Sequence, residues 1–326
     1  MEGGLQNKID SVQVLRFFAA FSVMMVHLPI FGFGIWGVDI FFVISGFIMM
    51  YVTENNEKNF LIKRVFRIVP LYWILTTGVF LIAYIKPEFL NNTTADLEHY
   101  IKSLLFIPFD KNGTGHFPIL FLGWTLNFEV IFYVLFGIAL AFSKKNRFIC
   151  CSFLIFSFYL INLGLSDKNF IFKTYANNMF FEFIFGMVAY LIWKKMHHLS
   201  INNFTNAIFL LLLIFSFLIF RNFEFSRFLS YGVPSFLLLI YFLFFLNNIK
   251  FPRIFIRLGD SSYCIYLIHP YIIQFFYKIY DVSNFNLVIE LIFTILIVIC
   301  VFFISIVIYN LVELPINQGL RKKILL

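Results

Sequence analysis

The chain has 326 residues, of which 61% are hydrophobic, 21% aromatic and only 13% charged, and its net charge is +8. A soluble protein of this size cannot hide so much apolar surface from water, so the composition excludes a soluble enzyme, a nucleic-acid-binding domain and a disordered chain. The Lys and Arg residues form short clusters between apolar runs, which indicates a polytopic membrane protein rather than a nucleic-acid partner.

Apolar runs near the roughly 20 residues that a transmembrane helix needs recur along the chain. Because a membrane-spanning backbone must satisfy its own hydrogen bonds, we predict an all-α bundle of about ten transmembrane helices. Their predicted bounds are 11–31, 35–53, 68–86, 118–142, 147–165, 175–193, 206–220, 228–247, 262–280 and 286–312. We expect one membrane domain over residues 1–326, with the first run kept as a helix because no signal-peptide pattern precedes it.

The distribution of basic residues predicts the orientation of this bundle. With a cytoplasmic N-terminus, the inner segments carry 17 of the 25 Lys and Arg residues. Every inner segment is basic, whereas the outer segments mix both signs, so we predict that both termini are cytoplasmic. The longest connection, 87–117, then lies on the outer side, and a connection of this length is typically functional or mobile.

The four cysteines lie inside apolar runs and show no metal-type spacing. We therefore expect them to act as small apolar residues, without a disulfide framework or a zinc site. They are Cys150, Cys151, Cys264 and Cys300.

The first predicted helix, SVQVLRFFAAFSVMMVHL, carries Arg16 and His27. A charge at membrane depth costs on the order of 2.5–3.5 kcal/mol, so each such group needs a structural or functional reason. The two residues share one helix face and lie about 16 Å apart. Arg16 is near the inner end and can reach the headgroups, whereas His27 is in the outer half, where a lone histidine is as often a packing residue as a catalyst.

Asp39 lies near the outer end of the second predicted helix, at a depth close to that of His27. A carboxylate next to an imidazole fixes its tautomer and raises its basicity, so Asp39 is a candidate to orient His27. The alternative is an aspartate that caps the helix or is simply hydrated. In the same helix, Gly37 and the pair Ser45–Gly46 permit close approach between helices.

Lys63, Arg64 and Arg67, here called the inner basic cluster, lie at the cytoplasmic entrance of the third predicted helix. Arg64 and Arg67 are three residues apart and share a face. Since arginine binds phosphate bidentately, the cluster is a candidate phosphate site. The alternative, more common for such clusters, is an anchor for lipid headgroups.

Two further ionisable residues lie near mid-membrane. Glu129, in GWTLNFEVIFYVLFG, is expected to be neutral or paired with a basic group. His269, in LGDSSYCIYLIHPYI, is a second candidate base, and the alternative is donation to a carbonyl that Pro270 frees. Weaker candidates are Glu182, Glu290, Glu313 and His116.

Taken together, these segments resemble the acyltransferase-3 family of bacterial integral-membrane proteins. The matching segments, in the family's order, are VQVLRFFAAFSVMMVH, GVDIFFVISGFIM, FLIKRVFRIVPLYW, GWTLNFEVIFY, LGDSSYCIYLIHP and YNLVELP. Each is weak alone, but six in order along the whole chain are highly specific. SVQVLR and GWTLNFEVIFY look most like the exopolysaccharide and O-antigen branch, and Thr125 replaces the usual serine while keeping a hydroxyl.

The resemblance implies an O-acyltransferase of the bacterial inner membrane. Its donor would be an acyl-coenzyme A, usually acetyl-coenzyme A, and its acceptor a sugar hydroxyl of a lipid-linked or surface polysaccharide. It places the family's Arg–x10–His pair on Arg16 and His27, its cytoplasmic basic motif on Arg64 and Arg67, and its intramembrane glutamate on Glu129. No metal is implied.

We hypothesise that the nucleotide of coenzyme A stays at the inner basic cluster while the thioester reaches up between the helices. His27, oriented by Asp39, would then deprotonate the acceptor or take the acyl group transiently. Arg16 would steady the donor or hold a helix in register. Direct transfer, an acyl-histidine and the membrane face of the chemistry all stay open at this point.

Two other functions are compatible with intramembrane charges. A transporter, for example of a lipid-linked sugar, also uses intramembrane Arg, His and Glu, but it predicts internal repeats and interrupted helices in paired positions, which the sequence does not show. A non-catalytic membrane subunit would use the same groups only to hold helices together. Neutral substitutions at His27 and Arg16 would then preserve function.

Overall fold

The computed structural model describes residues 9–91, 93–110, 117–197, 202–222, 226–247, 249–280 and 286–324. In the first half of the chain the helices are α1 (Asp10–Val26), α2 (Gly37–Val52), α3 (Phe60–Ile85), α4 (Leu97–Leu104), α5 (Trp124–Phe142) and α6 (Arg147–Gly164). In the second half they are α7 (Phe170–Tyr175), α8 (Phe180–Met196), α9 (Asn203–Asn222), α10 (Val233–Phe244), α11 (Arg253–Asp260), α12 (Ser262–Ile279), α13 (Leu287–Ile308) and α14 (Leu314–Ile324). The described residues contain no β-strand, and His116 lies outside them.

The protein is an all-α, multi-pass membrane protein. Within the described residues, five helical stretches are long and apolar enough to cross a bilayer: Phe60–Ile85, Phe121–Phe142, Arg147–Gly164, Phe170–Met196 and Leu287–Gly319. Gly37–Val52, Asn203–Ile219 and Phe228–Phe244 are shorter apolar helices. Each of the predicted runs contains a helix. The number of ten spans and the cytoplasmic termini stay predictions.

The third helix begins earlier than predicted. α3 starts at Phe60 rather than at residue 68, because the apolar spacing of LIKRVFRIV continues helically through the charged residues. The inner basic cluster therefore lies in the first turns of α3 and not before it. This position turns Arg67 towards the interior of the bundle, where it lines a cavity.

α2 and α8 form a close crossing at two glycines. A Cβ atom on Gly46 would lie 2.0 Å from the Phe183 carbonyl oxygen, and one on Gly186 would lie 1.9 Å from that of Val43. Only glycine lets the two backbones come this close. The predicted close approach at Gly46 is therefore present, and it fixes α2 in the centre of the bundle.

The connection between α1 and α2 turns back along α1 before α2 begins. Gly34 has a positive φ of 113°, and a Cβ atom there would lie 2.1 Å from the Ser22 carbonyl oxygen. At Gly37, a Cβ atom would lie 2.3 Å from the Ala19 carbonyl oxygen. The start of α2 therefore lies beside Ala19, eight residues or about 12 Å along the axis from His27.

The loop after α2 is held by ion pairs to α6 and α8. Glu54 accepts a hydrogen bond from Arg147 at 2.5 Å and a second one from Lys194. Nearby, Lys144 and Glu57 form a more exposed pair at 2.7 Å. Partial burial alone would raise the pKa of Glu54, but the bonds from Lys194 and Arg147 outweigh it and lower the pKa from 4.5 to about 2.

This depressed pKa predicts an acid-dependent contribution to stability. Because Glu54 binds its proton more weakly in the folded protein, its stabilisation is complete above pH 4.5 and is lost as the pH falls towards 2. We expect Glu54→Gln to lower the melting temperature of the detergent-solubilised protein at pH 7, with the difference from wild type shrinking below pH 4.5. Glu57→Gln, which breaks the more exposed pair, should have a smaller effect. A difference that is the same at pH 7 and pH 3 would contradict the pairing.

Candidate active site

Two histidines from opposite ends of the sequence meet in the bundle. His27 follows the last residue of α1, and its Nδ1 lies 2.9 Å from the Val23 carbonyl oxygen. His269 lies within α12, and its Nδ1 is 2.9 Å from the Ile265 carbonyl oxygen. The Nε2 atom of His269 is 3.2 Å from Nδ1 of His27.

These contacts fix which nitrogen of each ring carries a proton. A backbone carbonyl can only accept, so both Nδ1 atoms carry hydrogen when these bonds are made. The Nε2 atom of His269 then accepts from Nδ1–H of His27, which it shares with the carbonyl. On His27, Nε2 is left as a lone pair, and no hydrogen bond from the described residues occupies it. His269 is fully buried, whereas His27 is half-buried.

The expectation that Asp39 orients His27 is wrong. The Asp39 carboxylate is buried and accepts two hydrogen bonds from Arg227, one from Nε at 3.1 Å and one from Nη2 at 2.8 Å. The reason is the turn at Gly34, after which the chain runs back along α1. As a result, α2 starts beside Ala19 and not level with the end of α1. His269 takes the place next to His27 that the sequence assigned to Asp39.

Glu182 of α8 completes the buried group around Asp39. Its side chain is fully buried, and its carboxyl contacts that of Asp39. Neither Glu182 oxygen receives a hydrogen bond from a conventional donor among the described residues. Asp39, Glu182 and Arg227 therefore form one buried group that joins α2, α8 and the start of the helix leading into α10.

A cavity that is partly open to solvent lies between α1, α2, α3, α5 and α12, and the space in and around it is about 740 Å³. On α2 its lining extends from Val38 to Met49, about 16 Å along the helix axis. Its polar lining is contributed by all five helices: Arg16, Ser45, Arg67, Thr125, Glu129, Tyr133, Tyr263 and Tyr266.

The cavity contains two arginines and one carboxyl group. Arg16 and Arg67 are both half-buried, and within the described residues neither forms an ion pair or a hydrogen bond. Glu129 instead accepts hydrogen bonds from two hydroxyls, Ser45 Oγ at 3.1 Å and Tyr133 OH. The expected direct pairing of Glu129 with a basic group is therefore absent from the described residues. The guanidinium groups of Arg16 and Arg67 can therefore donate hydrogen bonds to an anion bound in the cavity.

The other two members of the inner basic cluster lie outside this lining. Arg64 is buried with its guanidinium 5.9 Å from the Phe60 ring centroid, and Lys63 donates to Asn56 on the surface. Sequence reasoning placed Arg64 and Arg67 on one phosphate-binding face, and the structure brings only Arg67 into the cavity. Among the described residues, no group of three or more His, Cys, Asp or Glu side chains is arranged to hold a metal ion.

The structure adds site residues that the sequence did not single out. Arg227 was counted as an outer-loop residue, although its guanidinium lies against a buried carboxylate. Tyr266 is one helical turn before His269 in the motif SYCIYLIHP and lines the cavity. The sequence did contain one signal for Tyr266, because it lies three residues before His269, a candidate base, and so shares its helix face. Arg227 had no local signal, since its partner is 188 residues away.

The chain is similar to proteins of one known family. The profile of the acyltransferase-3 family, described as an acyltransferase domain, matches residues 9–310. A segment of 169 residues is 36% identical to the exopolysaccharide production protein ExoZ of Rhizobium meliloti (strain 1021), covering 51% of this chain and 53% of ExoZ. The match thus spans about half of that relative's length.

A second relative covers more of the chain at lower identity. ORF330 of Acidianus two-tailed virus, whose name proposes an acetyltransferase, is 26% identical over 295 residues, covering 81% of this chain and 83% of the viral protein. No solved structure matches the chain.

Proposed function

Because the chain belongs to the acyltransferase-3 family and is therefore a membrane acyltransferase, we propose that it transfers an acetyl group from acetyl-coenzyme A to a sugar hydroxyl of a cell-surface or lipid-linked polysaccharide. The observation that carries this proposal is the His27–His269 pair close to a cavity with two arginines, where neither arginine nor Nε2 of His27 forms an ion pair or hydrogen bond with the described residues. The name of ExoZ supports a polysaccharide acceptor, and the name of the viral relative supports an acetyl group. We place the enzyme in the bacterial inner membrane.

The cavity is suited to the donor. Coenzyme A carries phosphates, and arginine binds phosphate with strong charge-assisted hydrogen bonds. Arg16 and Arg67 supply such donors from α1 and α3, and Lys63 and Arg64 extend the positive charge towards the start of α3. Arg16 and His27 lie about 16 Å apart along α1, a distance that an extended pantetheine arm can bridge. The thioester thus reaches His27 while the phosphates remain among the arginines.

His27 supplies the base for the transfer. A sugar hydroxyl is a weak nucleophile, and its proton passes to Nε2 of His27 as the oxygen attacks the thioester carbonyl. The C–O bond forms, the C–S bond breaks, and the proton passes to the departing thiolate of coenzyme A. The imidazolium that forms in between is stabilised through Nδ1–H by the Val23 carbonyl and by Nε2 of His269.

His269 is a positioning residue in this scheme, since it acts through His27. Asp39 does not contact His27, and its role is to hold α2 against α8 and Arg227. Glu129 holds the Ser45 and Tyr133 hydroxyls in place on the polar side of the cavity. An acyl-histidine on His27 is the second route that this geometry permits. It would accumulate as a labelled protein when the acceptor is withheld, whereas direct transfer would leave the protein unlabelled.

The proposed function is tested in the host cell. Deleting the coding sequence should remove ester-linked acetyl groups from one envelope or secreted polysaccharide, and wild-type protein should restore them. Mass spectrometry of the purified polysaccharide before and after mild alkaline hydrolysis measures these groups. Unchanged ester content in every polysaccharide fraction would contradict the proposed acceptor class.

A further inference from the structure

Two hydroxyl-bearing residues in the wall of the cavity lie close to the histidine pair. Thr125, at the start of α5, and Tyr266 of α12 both line the cavity, and their hydroxyls are 2.8 Å apart. The carbonyl oxygen of Leu122 is within hydrogen-bond distance of both, 3.1 Å from the Thr125 hydroxyl and 3.3 Å from that of Tyr266, and two hydroxyl protons serve these three contacts. The two hydroxyl oxygens and the Leu122 carbonyl oxygen therefore form one cluster in the cavity wall, where the start of α5 meets α12.

Beyond this wall lies the candidate base. His269 follows Tyr266 by one turn of α12, and the centroids of the two rings are 6.4 Å apart. Neither His27 nor His269 lines the cavity. Tyr266 therefore both lines the cavity and lies beside His269, the partner of His27.

The wall is tightly packed. Thr125 and Tyr266 are each 5% exposed, and the ring of Phe41 packs edge-on against that of Tyr266 at 5.6 Å. Opening a path requires the Tyr266 hydroxyl to leave two oxygen partners and its ring to shift against Phe41. Neutral hydrogen bonds contribute little net free energy, so a small displacement is feasible, whereas a large one also disrupts the ring packing.

We propose that the Tyr266 ring, held in place by the contact of its hydroxyl with that of Thr125, is a closure between the donor cavity and the His27–His269 pair, and that the ring restricts transfer to short acyl groups. This inference rests on the proposed function for its substrate. An acetyl group is small enough to pass a slightly displaced Tyr266 ring. A butyryl group needs space that the Tyr266 and Phe41 rings occupy.

The first test compares acyl donors. Membranes containing wild type, Tyr266→Leu or Tyr266→Phe are given acetyl- or butyryl-coenzyme A and the polysaccharide acceptor, at matched protein levels. Tyr266→Leu should raise the ratio of butyryl to acetyl transfer at least tenfold, whereas Tyr266→Phe, which keeps the ring, should change it much less. An unchanged ratio in Tyr266→Leu would overturn the size restriction. Loss of all transfer by correctly folded Tyr266→Leu would also overturn it, because it would show a catalytic residue instead.

The second test does not depend on catalysis. Ser45→Cys, in a protein whose four native cysteines are replaced by alanine, places a reporter thiol in the cavity. An impermeant methanethiosulfonate reagent is added outside right-side-out vesicles. Thr125→Val and Tyr266→Leu should speed modification of this thiol at least tenfold. Tyr263→Phe is the matched control, since Tyr263 also lines the cavity but donates to the Ile68 carbonyl away from the closure.

The two tests separate the closure from the proposed function. If wild type transfers no acyl group but the thiol reacts faster in both closure variants, the proposed function fails and the closure stands. If wild type transfers acetyl while the variants change neither the donor ratio nor the thiol rate, the closure fails and the function stands.

Discussion

Replacing His27 by alanine is expected to reduce acyl transfer by about 10²–10⁴-fold, the range that a general base contributes. Without the ring, nothing at the end of α1 accepts the proton of the sugar hydroxyl. The loss should appear in kcat, because the donor binds through Arg16 and Arg67, about 16 Å away. Labelled acetyl incorporated into polysaccharide, at equal amounts of folded protein, measures it.

Two variants serve as controls for this result. His27→Gln keeps a polar side chain but supplies no base, and should be as inactive as alanine. His269→Leu removes the side-chain acceptor for Nδ1–H of His27 and should lose less activity, with a shifted pH dependence, because His269 acts through His27. Activity within about threefold of wild type in His27→Ala would rule out His27 as the base.

Replacing Arg67 by glutamine is expected to raise the KM for acetyl-coenzyme A by about 10–100-fold. The estimate follows from roughly 1.5–3 kcal/mol for a hydrogen bond to a charged group, at about 1.4 kcal/mol for each factor of ten. Arg16→Gln should act in the same direction, since both guanidinium groups line the cavity without an ion pair among the described residues. Arg67→Lys should recover part of the affinity, because it restores the charge but not the bidentate geometry.

The matched control for the arginine variants is Arg253→Gln. Arg253 is an exposed cation on α11 outside the cavity, so its loss should leave the KM unchanged. Steady-state kinetics over a range of donor concentrations would separate KM from kcat. If Arg67→Gln and Arg253→Gln gave the same KM as wild type, the phosphates of the donor would have to bind outside this cavity.

Much of the fold follows from the local pattern of the sequence. Each predicted apolar run contains a helix, because a stretch of apolar residues with few breaks can hide its backbone only in that way. The close approach at Gly46 was also visible, since glycine has few other uses inside an apolar helix. The third span was predicted to start at residue 68, after the basic residues at its entrance, whereas α3 begins at Phe60 and includes Lys63, Arg64 and Arg67.

The arrangement of the site depended on contacts that local sequence does not contain. His27 and His269 are 242 residues apart, and Asp39 and Arg227 are 188 apart. The predicted pair of Asp39 and His27 assumed that α2 starts level with the end of α1. The positive φ at Gly34 lets the chain turn back instead, which places Asp39 beside Arg227.

The most direct test of the proposed function uses purified membranes, acetyl-coenzyme A labelled in its acetyl group, and the polysaccharide fraction of the host. The expected result is label in alkali-sensitive esters of the polysaccharide, with an equal amount of free coenzyme A, from wild type and not from His27→Ala. Omitting the polysaccharide should stop the release of coenzyme A beyond the one equivalent per enzyme that an acyl-histidine on His27 accounts for. Continuous release of coenzyme A without an acceptor, or folded wild-type protein that transfers no label, would contradict acyl transfer from coenzyme A to a sugar.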